Sequence, residues 1–390
     1  MVSMTEPAWL TAQRDEAARA FAALPMPTQK LRPWKYTDVS HVDLAHVTPD
    51  AWFLPVVEAT PPQGGWAGTF TDALTDSGGA ELVRKYLGSL VPSTEGKFIA
   101  ANAANWNGGA LVYAPRGKAY DAPVTVRLDA PRGGGVFPRL LIVAEPASEV
   151  TVIVRATSGA AETLASGVVE VIAQADSRVR VVFDLRWGAA TDDFTLLRTR
   201  TERGANVAVA TVAVGGRIVK QTLEALLEGE GSSAQFKGVA LGDESQHFDF
   251  VTLQDHIGPK TISDVQIKTA LAGASRSVYY GITRVEETAS GASAEQANRN
   301  LLLSKHAKAD ADPVLEILTN EVIRCGHGAT VGPVDQEAFF YLQSRGLDRR
   351  QALQLLVVGF FQSVLTGMGD EALAEEVAAA VTAKLGGAEL

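Results

Sequence analysis

Between about Lys97 and Val331 the chain keeps returning to one texture. Short runs of β-branched and aromatic residues recur at 150–155, 168–172, 179–183, 207–214, 236–241, 248–253, 265–271 and 278–285. Such side chains suit the pleated, half-buried surface of a strand better than a helix. The gaps carry turn signals instead of helical periodicity: Ser158-Gly159, Gly215-Gly216, Gly229-Glu230-Gly231 and Gly242-Asp243. Runs this closely spaced leave little room for helices between strands, which narrows the core to a sandwich, a barrel or a β-helix. Periodicity alone does not choose among the three. Few two-residue Asn-Gly or Asp-Gly turns occur, which weighs slightly against a succession of tight hairpins.

Helical patterns flank this core. Thr5 is a fair N-cap, Pro7 falls near the first turn, and Trp9, Leu10, Ala17, Ala20, Phe21 and Leu24 recur at helical spacing until Pro25-Met26-Pro27 ends the helix. Leu31-Arg32-Pro33-Trp34-Lys35-Tyr36-Thr37 then forms an aromatic knot in a loop, and residues 38–95 show no pattern that places their elements. Near the other end, Asp335 caps a helix through Phe339, Phe340 and Tyr341 that Gly346 closes. Asp348 caps a second helix carrying Ala352, Leu355, Leu356, Phe360 and Leu365, ended by Gly367 and Gly369. Asp370 caps a third, with Glu371, Glu375 and Glu376 early and Lys384 late, as the helix dipole favours. Val357, Val358, Phe360 and Phe361 make the second helix apolar nearly all round, so it is expected to be buried within the chain or against a partner. The divisions read as a helical and mixed region 1–95, a β core 96–333 and a helical region 334–390.

The formal net charge of −10 argues against nucleic acid as the main partner, because phosphate binding needs a cationic face. Met1 to Asp15 lacks the basic and apolar regions of a secretory signal, and no stretch reaches the apolar length of a membrane span. One cysteine rules out an intramolecular disulfide framework. The simplest expected compartment is the cytoplasm.

That cysteine lies in Arg324-Cys325-Gly326-His327-Gly328-Ala329-Thr330. In an extended segment Cys325 and His327 point to the same face, giving a two-point site for soft metal or sulfur chemistry. Two ligands complete neither an ordinary metal site nor an iron–sulfur centre, which normally takes four protein ligands. Arg324 and His327, if close, would lower the thiol pKa, while the glycines permit close approach of a backbone or ligand. No phosphate-binding G-x-x-x-x-G-K-[ST] loop, G-x-S-x-G elbow or HExxH pair is present. A second grouping, His247 and Asp249 with Asp255, His256 and Asp264, would suit a carbohydrate-active β-helix enzyme. The polar face of a half-buried strand explains it more simply. His41, His46 and His306 have no ligand spacing.

Residues 299–304, 309–317 and 325–332 together form a near-continuous stretch that resembles the SufB/SufD family, as does Phe340-Tyr341-Leu342-Gln343-Ser344-Arg345-Gly346. The resemblance extends over 264–285, with Lys268 and Ser277-Val278-Tyr279-Tyr280-Gly281, and to Lys97-Phe98-Ile99-Ala100-Ala101-Asn102. Trp34-Lys35-Tyr36-Thr37 is similar to the SufD branch of that family, which the length and the lack of further cysteines also fit. The resemblance implies a parallel β-helix core between helical termini. It implies a non-catalytic scaffold in a cytoplasmic iron–sulfur cluster assembly complex, paired with a SufB homologue through the β-helix edge. It implies docking of the SufC ATPase through residues 335–390. It places His327, as a metal ligand, and Cys325 at a transient iron–sulfur site shared across the subunit interface, with sulfur acceptance assigned to the partner. A SufB-like homodimer accepting sulfur on Cys325 is the alternative within the family.

Overall fold

The computed structural model describes residues 6–50, 53–366 and 371–387. The expected caps Thr5 and Asp370 and the terminators Gly367 and Gly369 lie outside the described residues.

Two long sheets make the core. Among the described residues one has nine strands and the other ten. From Val124–Ala130 onward the longer strands fall alternately in the two sheets, and within each sheet they pair in parallel. Strands that pair in parallel with the strand two places on, through short turns, build a solenoid. The β-helix reading therefore holds, and sandwich and barrel do not. Register explains why runs of similar residues recur. Val124, Val152, Val181, Val209, Phe236 and Val265 sit side by side on successive rungs, all essentially inaccessible to solvent. Each such column is a continuous strip of core between the sheets.

The outer faces are covered by helices. Helices α1 (Ala8–Ala23), α2 (Phe70–Thr75), α3 (Ser77–Tyr86) and α4 (Lys97–Asn105) lie with the ten-stranded sheet, where Phe70 and Val83 cluster with Leu141 and Val168. Helices α5 (Gln336–Ser344), α6 (Arg349–Leu365) and α7 (Glu371–Gly387) cover the nine-stranded sheet, with Val357, Phe361 and Val381 against Val182, Ala210 and Val239. Two lysines fasten this layer. Lys268 donates to the Phe360 carbonyl at 2.6 Å, and Lys384 reaches the carbonyls of Val214 and Leu241 and the side chain of Gln246.

Two expectations change. The β region does not start at Lys97: Lys97–Asn105 is helical, since its alanine-rich sequence favours that state. The unplaced 38–95 stretch contains α2, α3 and two short strands, Val56–Glu58 and Trp66–Thr69, which pair antiparallel at the start of the two sheets. Among the described residues no helix is long and apolar enough to cross a membrane.

Candidate functional site

The solenoid ends on two strands, Lys308–Ile317 in one sheet and Val322–Pro333 in the other, each paired on one side only. Pro313 falls in the first of these, a position an edge strand tolerates because one side needs no donor. Cys325 and His327 lie on the second. Their neighbours across the ladder are Ala294 and Gln296, both buried and facing the solenoid interior. Followed back, the Cys325 column runs through Ala294, Ser263, Ala234, Val207 and Val179. The His327 column runs through Gln296, Val265 and Phe236. Both residues thus occupy core positions of a rung on which no further rung is stacked.

Their environments differ. Cys325 is half-buried against Val285, Ala289 and Ala292, whereas His327 is exposed. Burial pushes the Cys325 thiol pKa up, a backbone hydrogen bond at Ala294 partly offsets this, and the Glu295 carboxylate raises it further. Arg324 does not act on the thiol as its position in sequence suggested, because its guanidinium is paired with Glu295 on the neighbouring strand. A side chain at Gly326 would come 2.9 Å from the Glu295 carboxylate, so that glycine leaves room for the pair, while Gly328 faces open space. Two residues apart on an extended strand, the sulfur and the imidazole share a face at a spacing of about 7 Å. Among the described residues no group of three or more His, Cys, Asp and Glu side chains could hold a metal ion. The pair is therefore a partial donor set. Around it Ile317, Leu318, Ile323 and Val331 are exposed, an apolar fringe along the same end.

The second histidine and carboxylate grouping does not converge. His247 and Asp249 lie beneath the aromatic knot: Thr37 Oγ1 donates to Asp249 Oδ2 at 2.5 Å and lies 2.8 Å from His247 Nε2. Buried Lys220 donates to the same Asp249 oxygen at 2.6 Å and to the Pro33 carbonyl at 2.6 Å. Burial lowers the Lys220 pKa, and the Asp249 charge opposes that. Trp34 stacks on Phe98 at a centroid distance of 5.3 Å and lies 5.9 Å from Phe194. These residues anchor a loop, with no open pair of carboxylates. His256 is buried in the interior against Thr261 and Ser263, and Asp264 lies on the other sheet. Sequence reasoning missed Lys220 and the tie from Thr37 to Asp249, because these partners are remote in the chain.

Two other histidines have carboxylate partners. His41 Nε2 is 2.8 Å from Asp192, and His46 Nδ1 is 2.7 Å from Asp43. On the helical layer Phe340, Tyr341 and Leu355 are 72%, 59% and 53% exposed, an outward apolar surface on α5 and α6.

The sequence has counterparts among known proteins. The family described as SUF system FeS cluster assembly, SufBD core domain, matches residues 126–360. An iron–sulfur cluster assembly SufBD family protein of Staphylococcus epidermidis is 29% identical over 286 residues, 72% of this chain and 61% of the relative. One from Staphylococcus aureus (strain MRSA252) gives the same identity and coverage. The chain thus spans less than two thirds of the length of these curated relatives. The family match takes in most of the solenoid, both strands of its open end and the start of the C-terminal helices, and on that ground the chain belongs to the SufBD core family of the SUF system of iron–sulfur cluster assembly.

Proposed function

We propose that this chain is a non-catalytic scaffold subunit of the SufD type, which pairs its open solenoid end with a SufB homologue and docks the SufC ATPase on α5 to α7. The observation that carries the reading is the last rung: two strands each paired on one side only and fringed by exposed apolar residues, with Cys325 and His327 in core positions that a further rung would cover. A partner rung stacked there would satisfy the free backbone groups and bring its own ligands next to these two. The cluster is then cargo built across the interface. His327, exposed on that face, is the metal donor of this half. Cys325, with its thiol pKa raised, is a poorer sulfur acceptor than a low-pKa cysteine on the partner. The exposed Phe340, Tyr341 and Leu355 support docking of an ATPase on the helical layer.

Replacing His327 with alanine in the reconstituted complex tests this. Cluster formation, followed by iron–sulfur absorbance, is expected to fall several-fold while the complex still assembles. Unchanged cluster formation overturns the role of His327. Persulfide on Cys325 in the isolated chain, read by mass spectrometry, would place it instead with sulfur-accepting, SufB-like homodimers.

A further inference from the structure

A cleft of about 710 Å³ opens where the turn after the strand Ala292–Leu302 meets α5 and α6. Its floor is apolar, made by Leu303, Val334, Phe339 and Leu353, all largely buried. Its rim carries Lys305, His306 and Arg349. Among the described residues no carboxylate lines it. Two neighbouring acids, Asp335 and Asp348, cap their own helices. Asp335 Oδ1 accepts from the backbone N–H groups of Glu337 and Ala338 at 2.9 and 3.2 Å, and Asp348 Oδ1 from that of Gln351 at 2.8 Å. No hydrogen bond or ion pair within the described residues engages Lys305 or His306. The Arg349 guanidinium lies 5.5 Å from the Phe339 ring centroid, without a carboxylate partner among those residues.

An uncompensated basic rim over an apolar floor is notable in a chain of formal net charge −10. A guanidinium and an ammonium together are suited to a phosphate, one as a planar fork and the other as a mobile point charge. The floor calls for an apolar body, and the volume falls within the range of about 300–1,000 Å³ typical of small-molecule sites. We propose that this cleft binds a small amphipathic phosphate ester, its phosphate held by Lys305 and Arg349 and its apolar group resting on Phe339 and Leu353. Neither Cys325 nor His327 lines the site, although Pro333, the last residue of the open-edge strand, does.

Titration calorimetry of the full chain with phenyl phosphate, inorganic phosphate and phenol tests the two halves of the site. Phenyl phosphate is expected to bind at least about ten-fold more tightly than either fragment. Lys305→Glu and Arg349→Glu should each weaken it by about ten-fold or more, with Lys118→Glu, remote from the cleft, as the neutral control. Alanine replacements serve if a reversal disturbs the circular dichroism spectrum. No binding of phenyl phosphate overturns the proposal. Equal binding of inorganic phosphate or of phenol removes the amphipathic ligand, and binding that survives both reversals removes the cleft as the site.

Discussion

His256 sits between the two sheets, with Thr261 Oγ1 2.8 Å from Nδ1 and Ser263 Oγ 2.8 Å from Nε2. Burial disfavours its charged form and pulls the pKa down to about 4 from the ordinary 6.5, the hydrogen bond at Thr261 opposing only in part. The unfolded chain therefore takes up a proton that the fold refuses. The stability tied to this neutral ring is fully present above pH 6.5 and is lost as pH falls toward 4. Between pH 7 and 5 the loss is about 2 kcal/mol. His256→Gln should flatten that slope in denaturant unfolding, and an unchanged slope would show that the ring does not carry the effect. At this scale the sequence was half legible. Alternation put Cys325 and His327 on one face, as found. Arg324 is beside the thiol in sequence, but its partner Glu295 lies on the adjacent rung, which a linear window does not reach.

Helix ends were the most legible elements, because caps act locally. Asp335 and Asp348 both cap as expected, Asp348 in a box with Gln351, and Gly346 after α5 takes the left-handed φ of +96° that favours glycine. Strands Thr191–Thr201, Ile218–Leu227 and Ala292–Leu302 are hard to recognise in the sequence, for a physical reason. They carry charges whose partners sit on other rungs: Asp192 with Arg217 at 2.7 Å, Arg198 with Glu224 at 2.6 Å, Lys220 with Asp249, and Glu295 with Arg324. Charges paired this way fit a strand, yet in one dimension they read as solvated loop or helix. The apolar helix α6 proved two-sided: Val357 and Phe361 are buried on the sheet, while Leu355 faces outward. With Phe340 and Tyr341 it forms a surface that can be changed without touching the core. Phe340→Asp together with Tyr341→Asp should leave the unfolding midpoint within a few degrees and cut co-purification of the ATPase by ten-fold or more, roughly the loss of one anchoring aromatic. Retained ATPase would exclude this surface as its dock.

A solenoid is close to one-dimensional, each rung resting on its two neighbours, so stability is a sum of local and nearest-neighbour terms. Central strands such as Thr163–Ala173, buried along their whole length, have support on both sides, whereas Lys308–Ile317 and Val322–Pro333 have it on one. Amide hydrogen exchange of the isolated chain should be slowest over the centre and fastest over these last two strands, and should slow there when a SufB homologue is added. Uniform protection along the ladder, or no change on addition, would remove the open end as the partner surface. The two ends of the solenoid are also unlike. At the start, the sheets close on antiparallel strands of only three and four residues, Val56–Glu58 and Trp66–Thr69, too short to template a long partner. Growth by stacking has one sticky terminus and one blunt one, a valence of one. On the proposed pairing, two such molecules joined at their open ends would turn only these short strands outward, so the geometry that would invite association would also limit it to a pair.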